Sequence, residues 1–324
     1  MNVFIDGIGM ISRCVQTADE LADIVMGNAP RIQQMPVMWD STIPAAKLRR
    51  NSRYNKLACE AADRALKDSE ALSLCDGQNI GTIVSTGYGA AEYSSVFADS
   101  VVKGVPEACS PSVFAGSVPN SCLGQICILN GLKGPSTVLA GGDPLEYASL
   151  LLASDRAERI LAGSVEEYFA PLYSSVMSFE AARGMTLSEG SAMVVLSPYK
   201  SAHTYCRIDG FSGVCLGADP YIHRVKGSQE MIAGALEQMK RPDAVFIAAN
   251  GTWLDEHENN AVKQVFPDIH TVAPKIFFGE TLGCGYMMNI AFAAAAVKCG
   301  LYKSVIAAGV DMIGNYTCVL LQCA

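Results

Sequence analysis

Short apolar runs bounded by Gly, Pro or Ser alternate with segments of helical periodicity from one end of this chain to the other. No other sequence feature limits its possible folds as strongly. Residues 3–5, 80–85, 137–140, 159–162 and 193–196 read as buried strands, the first turning at Gly7 and Gly9. Between them Ala58, Ala61, Ala62, Ala65 and Leu66 recur at the spacing of one helix face. After Tyr199 the rhythm restarts. Residues 207–211, 244–249, 304–308 and 317–321 read as strands, and 256–266 and 286–298 as helices. Ser228 is placed to cap a further helix that runs to about Lys240 and stops before Pro242. Such alternation predicts an α/β fold with helices covering the sheets. No low-complexity linker interrupts it, so two halves, 1–200 and 201–324, are expected to pack as one body.

Composition narrows the function. Half of the 324 residues are hydrophobic and only 17% are charged, below the usual quarter or so, which suggests surface buried in a subunit interface. The net charge is -8 and no basic run interleaved with aromatics is present, so nucleic-acid binding is set aside. The apolar stretch 286–297 is too short to span a bilayer and reads as a buried helix. The N-terminus lacks a basic segment, so no signal peptide is expected. Twelve Cys, none in a CxxC pair, include Cys59, Cys127, Cys299 and Cys318 inside apolar patterns. They fit reduced thiols and a cytoplasmic protein. Four scattered His form no zinc spacing, and neither metal nor cofactor is expected. Gly7 and Gly9 begin a dinucleotide-type loop, but Ser12 stands where its third Gly belongs.

Four segments, in order, carry a family resemblance. The first is Ile5-Asp6-Gly7-Ile8-Gly9-Met10-Ile11-Ser12. The second joins Val118-Pro119-Asn120, Gly124-Gln125-Ile126 and Gly131-Leu132-Lys133-Gly134-Pro135-Ser136. The third is Leu161-Ala162-Gly163-Ser164-Val165-Glu166 followed by Leu187-Ser188-Glu189-Gly190-Ser191-Ala192. The fourth is Ala248-Ala249-Asn250-Gly251-Thr252, then Lys275, then Gly279-Glu280-Thr281-Leu282-Gly283. Together they resemble the β-ketoacyl synthase branch of the thiolase superfamily. The resemblance implies a thiolase-like fold of two related halves in a layered α-β-α-β-α arrangement. The chain is short for that family.

A condensing synthase of this kind uses a Cys nucleophile and two His. The thiolate attacks the acyl thioester, and the imidazoles support decarboxylation and hold the developing enolate oxygen. Carried onto this chain, the Cys position seven residues beyond Ser136 holds Asp143, the first His position Asn250 and the second Glu280. Counting back from Ala162-Gly163 also leaves no Cys. Lys275 is retained, a later family Glu is Asn289, and Gly309-Val310-Asp311 lies where the family has a Gly-Phe-Gly-Gly element. Asp143 before Pro144 is explained as a helix N-cap. Asn250 and Glu280 are placed to hydrogen-bond each other or Lys275.

What the resemblance then implies is a catalytically silent copy, similar to the chain-length factors of type II polyketide synthases, including those of aryl polyene assembly. Its expected partner is an active ketosynthase, in a heterodimer. It would meet an acyl carrier protein only through that partner, since like charges oppose direct docking. The family segment that gates the partner's pocket corresponds to Val113, Phe114 and Ser117, with Phe114 the candidate gate or else an ordinary core aromatic. The alternatives are a thioester hydrolase or decarboxylase using Cys284 or His257, and a scaffold protein. Cys284 reads more simply as a small packing residue and His257 as a solvated side chain on a charged helix start.

Overall fold

The computed structural model describes residues 2–104 and 109–324. Its first run of elements is β1 (Val3–Ile11), α1 (Ala18–Val25), α2 (Ala45–Leu48), α3 (Arg53–Asp68), α4 (Ala71–Leu74), β2 (Ile80–Thr86), α5 (Ala91–Val102), α6 (Pro111–Ser117), α7 (Ser121–Asn130), β3 (Ser136–Ala140), α8 (Pro144–Ala153), β4 (Arg159–Glu166), α9 (Ala170–Met177) and β5 (Gly190–Ser197). The second is β6 (Cys206–Cys215), α10 (Ser228–Leu236), β7 (Ala244–Phe246), α11 (Leu254–Val265), β8 (His270–Val272), α12 (Lys275–Phe278), α13 (Gly285–Lys298), β9 (Ser304–Val310) and β10 (Asn315–Gln322).

The strands form one sheet in the order β3-β2-β4-β5-β1-β6-β10-β9-β7-β8. The order of the first five strands, read outward from β1, is repeated by the second five read outward from β6. Within the sheet the two runs join where Val3, Phe4 and Ile5 pair with Ile208, Arg207 and Cys206. Parallel pairs, β2 with β3 and β4, and β7 with β8 and β9, occupy the outer parts of the sheet.

Strand alternation sorts the side chains into layers. On β5, Ala192, Val194 and Leu196 join the cluster that contains α8 and α13, while Met193 and Val195 face α3. On β9, Val305 and Ala307 enter the same central cluster, while Ile306 and Ala308 face α10 and α11. Helices therefore cover both outer faces and fill the middle, in an α-β-α-β-α stack. Every residue of α13 from Gly285 to Val297 is buried, as a helix between two apolar faces requires.

β1 continues through Gly7 and Gly9 with a bulge at Asp6, rather than ending in the turn that the two glycines suggest. The two glycines instead admit α3. A Cβ on Gly7 would stand 2.5 Å from the Ala65 carbonyl oxygen, and one on Gly9 would overlap that of Ala61. The helix face anticipated from Ala58, Ala61, Ala62, Ala65 and Leu66 is the buried one. Ser228 is not a cap: Gly227, with φ 74°, holds that position and Ser228 is the first helical residue.

Candidate functional site

β3 ends at Ala140, and the chain turns through Gly141 (φ 71°) and Gly142 (φ 80°) into α8. These left-handed values favour glycine. Asp143 caps the helix: its Oδ1 accepts the amides of Leu145 at 2.8 Å and Glu146 at 3.1 Å, with Pro144 in the first turn. Its Oδ2 accepts the Tyr286 hydroxyl at 2.7 Å. Burial pushes the Asp143 pKa up to about 6, against the pull of these bonds. The Gly142 amide donates to Asp311 Oδ2 at 2.8 Å. A Cβ on Gly141 would stand 2.7 Å from that same oxygen and 3.1 Å from Ile313 Cδ1. No Cys stands at this elbow, and the Asp311 carboxylate is bonded to its turn.

A second cluster lies at the start of α13. Glu280 Oε2 accepts Lys275 Nζ at 2.6 Å and Asn250 Nδ2 at 2.8 Å. Asn250 Oδ1 in turn accepts the Thr252 hydroxyl at 2.7 Å. The Glu280 backbone is clamped by Ser188 and Thr186, its carbonyl accepting one amide and its own amide donating to the other carbonyl, both at 2.7 Å. Gly285 makes room for the pair, since a Cβ there would stand 3.1 Å from Lys275 Nζ. Asn250, Glu280 and Lys275 are thus in direct contact. Asp143 is reached only through Tyr286, the neighbour of Gly285. No imidazole takes part. The cluster offers a fixed ammonium, a fixed carboxylate and an amide, bonded to one another through Glu280 Oε2, while Glu280 Oε1 is buried with no hydrogen-bond partner among the described residues. Asn289 donates to the carbonyls of Ile247 and Ala308, both at 2.8 Å, and ties α13 to the ends of β7 and β9.

The other sequence candidates fall elsewhere. Cys284 is fully buried, its thiol donating to the Ser164 carbonyl at 3.2 Å, and burial pushes its pKa well up. A thiol held neutral in this way is a poor nucleophile. His257 is half-buried rather than solvated: Nδ1 bonds Ser228 Oγ at 2.7 Å and its ring meets the Trp253 ring edge-on. Phe114 is not a core aromatic. It is 55% exposed on α6 and stacks on Phe97 of α5, with ring centroids 5.1 Å apart. Val113 and Ser117 beside it are half-buried. Among the described residues no group of three His, Cys, Asp or Glu is placed to hold a metal ion. Among the described residues no single helix is long and apolar enough to cross a membrane.

The sequence places Asp311 in the Gly309-Val310-Asp311 stretch but gives no sign of its bond to the Gly141-Gly142 turn, nor of the Tyr286 hydroxyl on Asp143. The one available signal was two glycines between a strand and an Asp-Pro helix start.

β3 is an edge strand, paired only with β2. α7 packs on one side of it, and α8 leaves its end on the other. Around this edge Ile128 on α7 is 78% and Leu150 on α8 60% exposed. Neither α5 nor α6 has a buried residue. This is an apolar margin beside the free edge of a terminal strand.

Residues 19–202 match the N-terminal domain of β-ketoacyl synthases. The chain belongs to the β-ketoacyl synthase family. Among curated relatives, 3-oxoacyl-[acyl-carrier-protein] synthase 2 of Staphylococcus aureus (strain N315) is 23% identical over 300 residues, covering 79% of this chain and 72% of that protein. The enzyme of the same name from Vibrio cholerae is 24% identical over 208 residues, or 54% of this chain and 49% of that one. Among solved structures, the ishigamide ketosynthase/chain length factor superposes with a TM-score of 0.84 at 18% identity, covering 100% of this chain and 99% of that one. The ketosynthase ApeO in complex with its chain length factor ApeC, from Xenorhabdus doucetiae, superposes at 0.77 with 16% identity, covering 100% and 98%. At these identities the structures establish the fold, that of the thiolase-like ketosynthases.

Proposed function

We propose that this β-ketoacyl synthase family member is a non-condensing subunit, similar to a chain-length factor, that pairs with an active ketosynthase and helps to shape its acyl tunnel. The observation that carries the reading is the elbow. Where a family nucleophile would stand at the start of α8, the chain has Gly141, Gly142 and Asp143, and Asp311 is seated on the turn. Asn250 and Glu280, taken as the two His positions, are bonded to each other and to Lys275. Neither can act as an imidazole donor, and removing groups that act together removes the activity as a unit.

A silent copy persists if a partner uses its surface. The apolar margin around β3 supports this, because exposed apolar area beside the open side of an edge strand is what association buries. Two of the superposed structures pair a ketosynthase with a chain length factor. In this reading Val113, Phe114 and Ser117 face the partner's tunnel, and the acidic carrier protein docks on the partner.

The test is co-expression with a Cys-His-His ketosynthase from the same genome. A stable one-to-one complex that elongates acyl chains, while this chain alone forms no carbon–carbon bond, is the expected result. A chain that ignores that ketosynthase, or condenses thioesters unaided, would overturn the proposal.

A further inference from the structure

Asp311 occupies the turn between β9 and β10 and uses both of its oxygens. Oδ1 accepts the amides of Ile313 at 3.0 Å and Asn315 at 2.9 Å. Oδ2 accepts Asn315 Nδ2 at 3.0 Å and the Gly142 amide at 2.8 Å. Three of these bonds stay inside the turn. The fourth crosses to the elbow, 169 positions away in sequence. It does not serve to cap α8, because the first-turn amides of Leu145 and Glu146 are already taken by Asp143. Gly141 approaches the carboxylate so closely that any side chain there would collide with it.

We propose that Asp311 is a built-in stopper, an autoinhibitory contact in which a tethered carboxylate holds the elbow amide and keeps the turn closed to acyl oxygens. A backbone amide aimed at an anion in a partly shielded turn is the kind of donor that stabilises a developing oxyanion. Here its acceptor is internal and bonded at fixed length, so an external thioester or carboxylate must displace a charge that is locally concentrated by its tether. The elbow is therefore silenced by occupation as well as by the missing thiol. This deepens the non-condensing reading and rests on it only for the consequence, since the contact can be tested in the full chain without a partner.

The test is chemical rescue. Asp311→Ala should lower Tm by roughly 2–6 °C. Sodium acetate should restore most of that loss saturably in the variant and leave the wild type unmoved against sodium chloride at equal ionic strength. In ¹⁵N spectra the Gly142 amide should shift with acetate in the variant alone. Asp311→Ser, which keeps an acceptor for the turn amides, carries the same measurements if Asp311→Ala does not fold. The proposal is overturned if acetate moves neither Tm nor the Gly142 amide more in the variants than in the wild type. Failure here with a stable ketosynthase complex removes the stopper and leaves the partner reading. Rescue without any complex does the reverse.

Discussion

Lys275 and Glu280 form an ion pair cut off from water, with Nζ 2.6 Å from Oε2 and the two side chains 1% and 0% exposed. Two buried charges are tolerated because each compensates the other and Asn250 adds a hydrogen bond. Removing one alone leaves an uncompensated charge. Lys275→Met should destabilise the chain by about 3–5 kcal/mol in urea denaturation. The double variant Lys275→Met/Glu280→Leu should cost clearly less than the sum of its parts, because neither charge remains. Strict additivity would show that the pair does not act as a unit.

Gly9 marks the closest approach of α3 to the sheet. Adding one methyl group there places it against the Ala61 carbonyl, which is helix backbone and cannot swing aside. Gly9→Ala should cost about 3 kcal/mol. Gly210→Ala is the control: that strand glycine has nothing within 4 Å of its Cβ position. It should be within about 0.5 kcal/mol of wild type. Equal effects of the two changes would mean that helix approach does not constrain β1.

The same pair of positions shows where sequence reasoning stops. Ala58, Ala61, Ala62, Ala65 and Leu66 announce their helix because periodicity is local and a single face is buried. Gly7 and Gly9 suggest a turn for the same local reason, whereas their purpose is set by carbonyls more than fifty residues further along. Residues 244–249 read as one strand by their apolar run, yet pairing ends at Phe246, and the chain leaves the sheet to present Asn250. Asn250, Glu280 and Lys275 were legible as a group because each sits in a recognisable motif. Asp311 was not. Its partner is a glycine amide in the other half of the sheet, and no side-chain pattern connects them.

Buried carboxylic acids should make stability fall as pH rises. Burial pushes Glu166 up to about 8, Glu167 and Glu258 to about 7 and Asp143 to about 6. A folded-state pKa above the unfolded value means that the folded chain holds the proton more tightly. The resulting stability is complete below about pH 4 and is lost as pH rises through 6 to 8. Glu166, which accepts the Thr86 hydroxyl at 3.0 Å and the amides of Gly87 and Tyr88, has the largest rise. Half of that rise corresponds to roughly 2 kcal/mol. Denaturant midpoints should decline between pH 5 and pH 9, and Glu166→Gln should decline less steeply. A midpoint that rises over this range would reverse the assignment.

The margin around β3 gives the most direct check on the partner reading. Ile128 on α7 and Leu150 on α8 flank the edge strand from opposite faces, and both are largely exposed. In the free chain a charge at either place meets solvent, so Ile128→Glu and Leu150→Glu should leave stability within about 0.5 kcal/mol of wild type. In a complex that buries this margin, each Glu would be desolvated without a counter-charge, which costs several kcal/mol. Affinity for the ketosynthase should then fall by at least about tenfold, a change of 1.4 kcal/mol. Ile276→Glu, equally exposed on α12 beyond the opposite end of the sheet, should bind as wild type does. Sedimentation or calorimetric titration of the purified pair reads all three. If Ile276→Glu disrupts the complex while Ile128→Glu and Leu150→Glu do not, the partner sits at the β8 end and the β3 margin has another purpose.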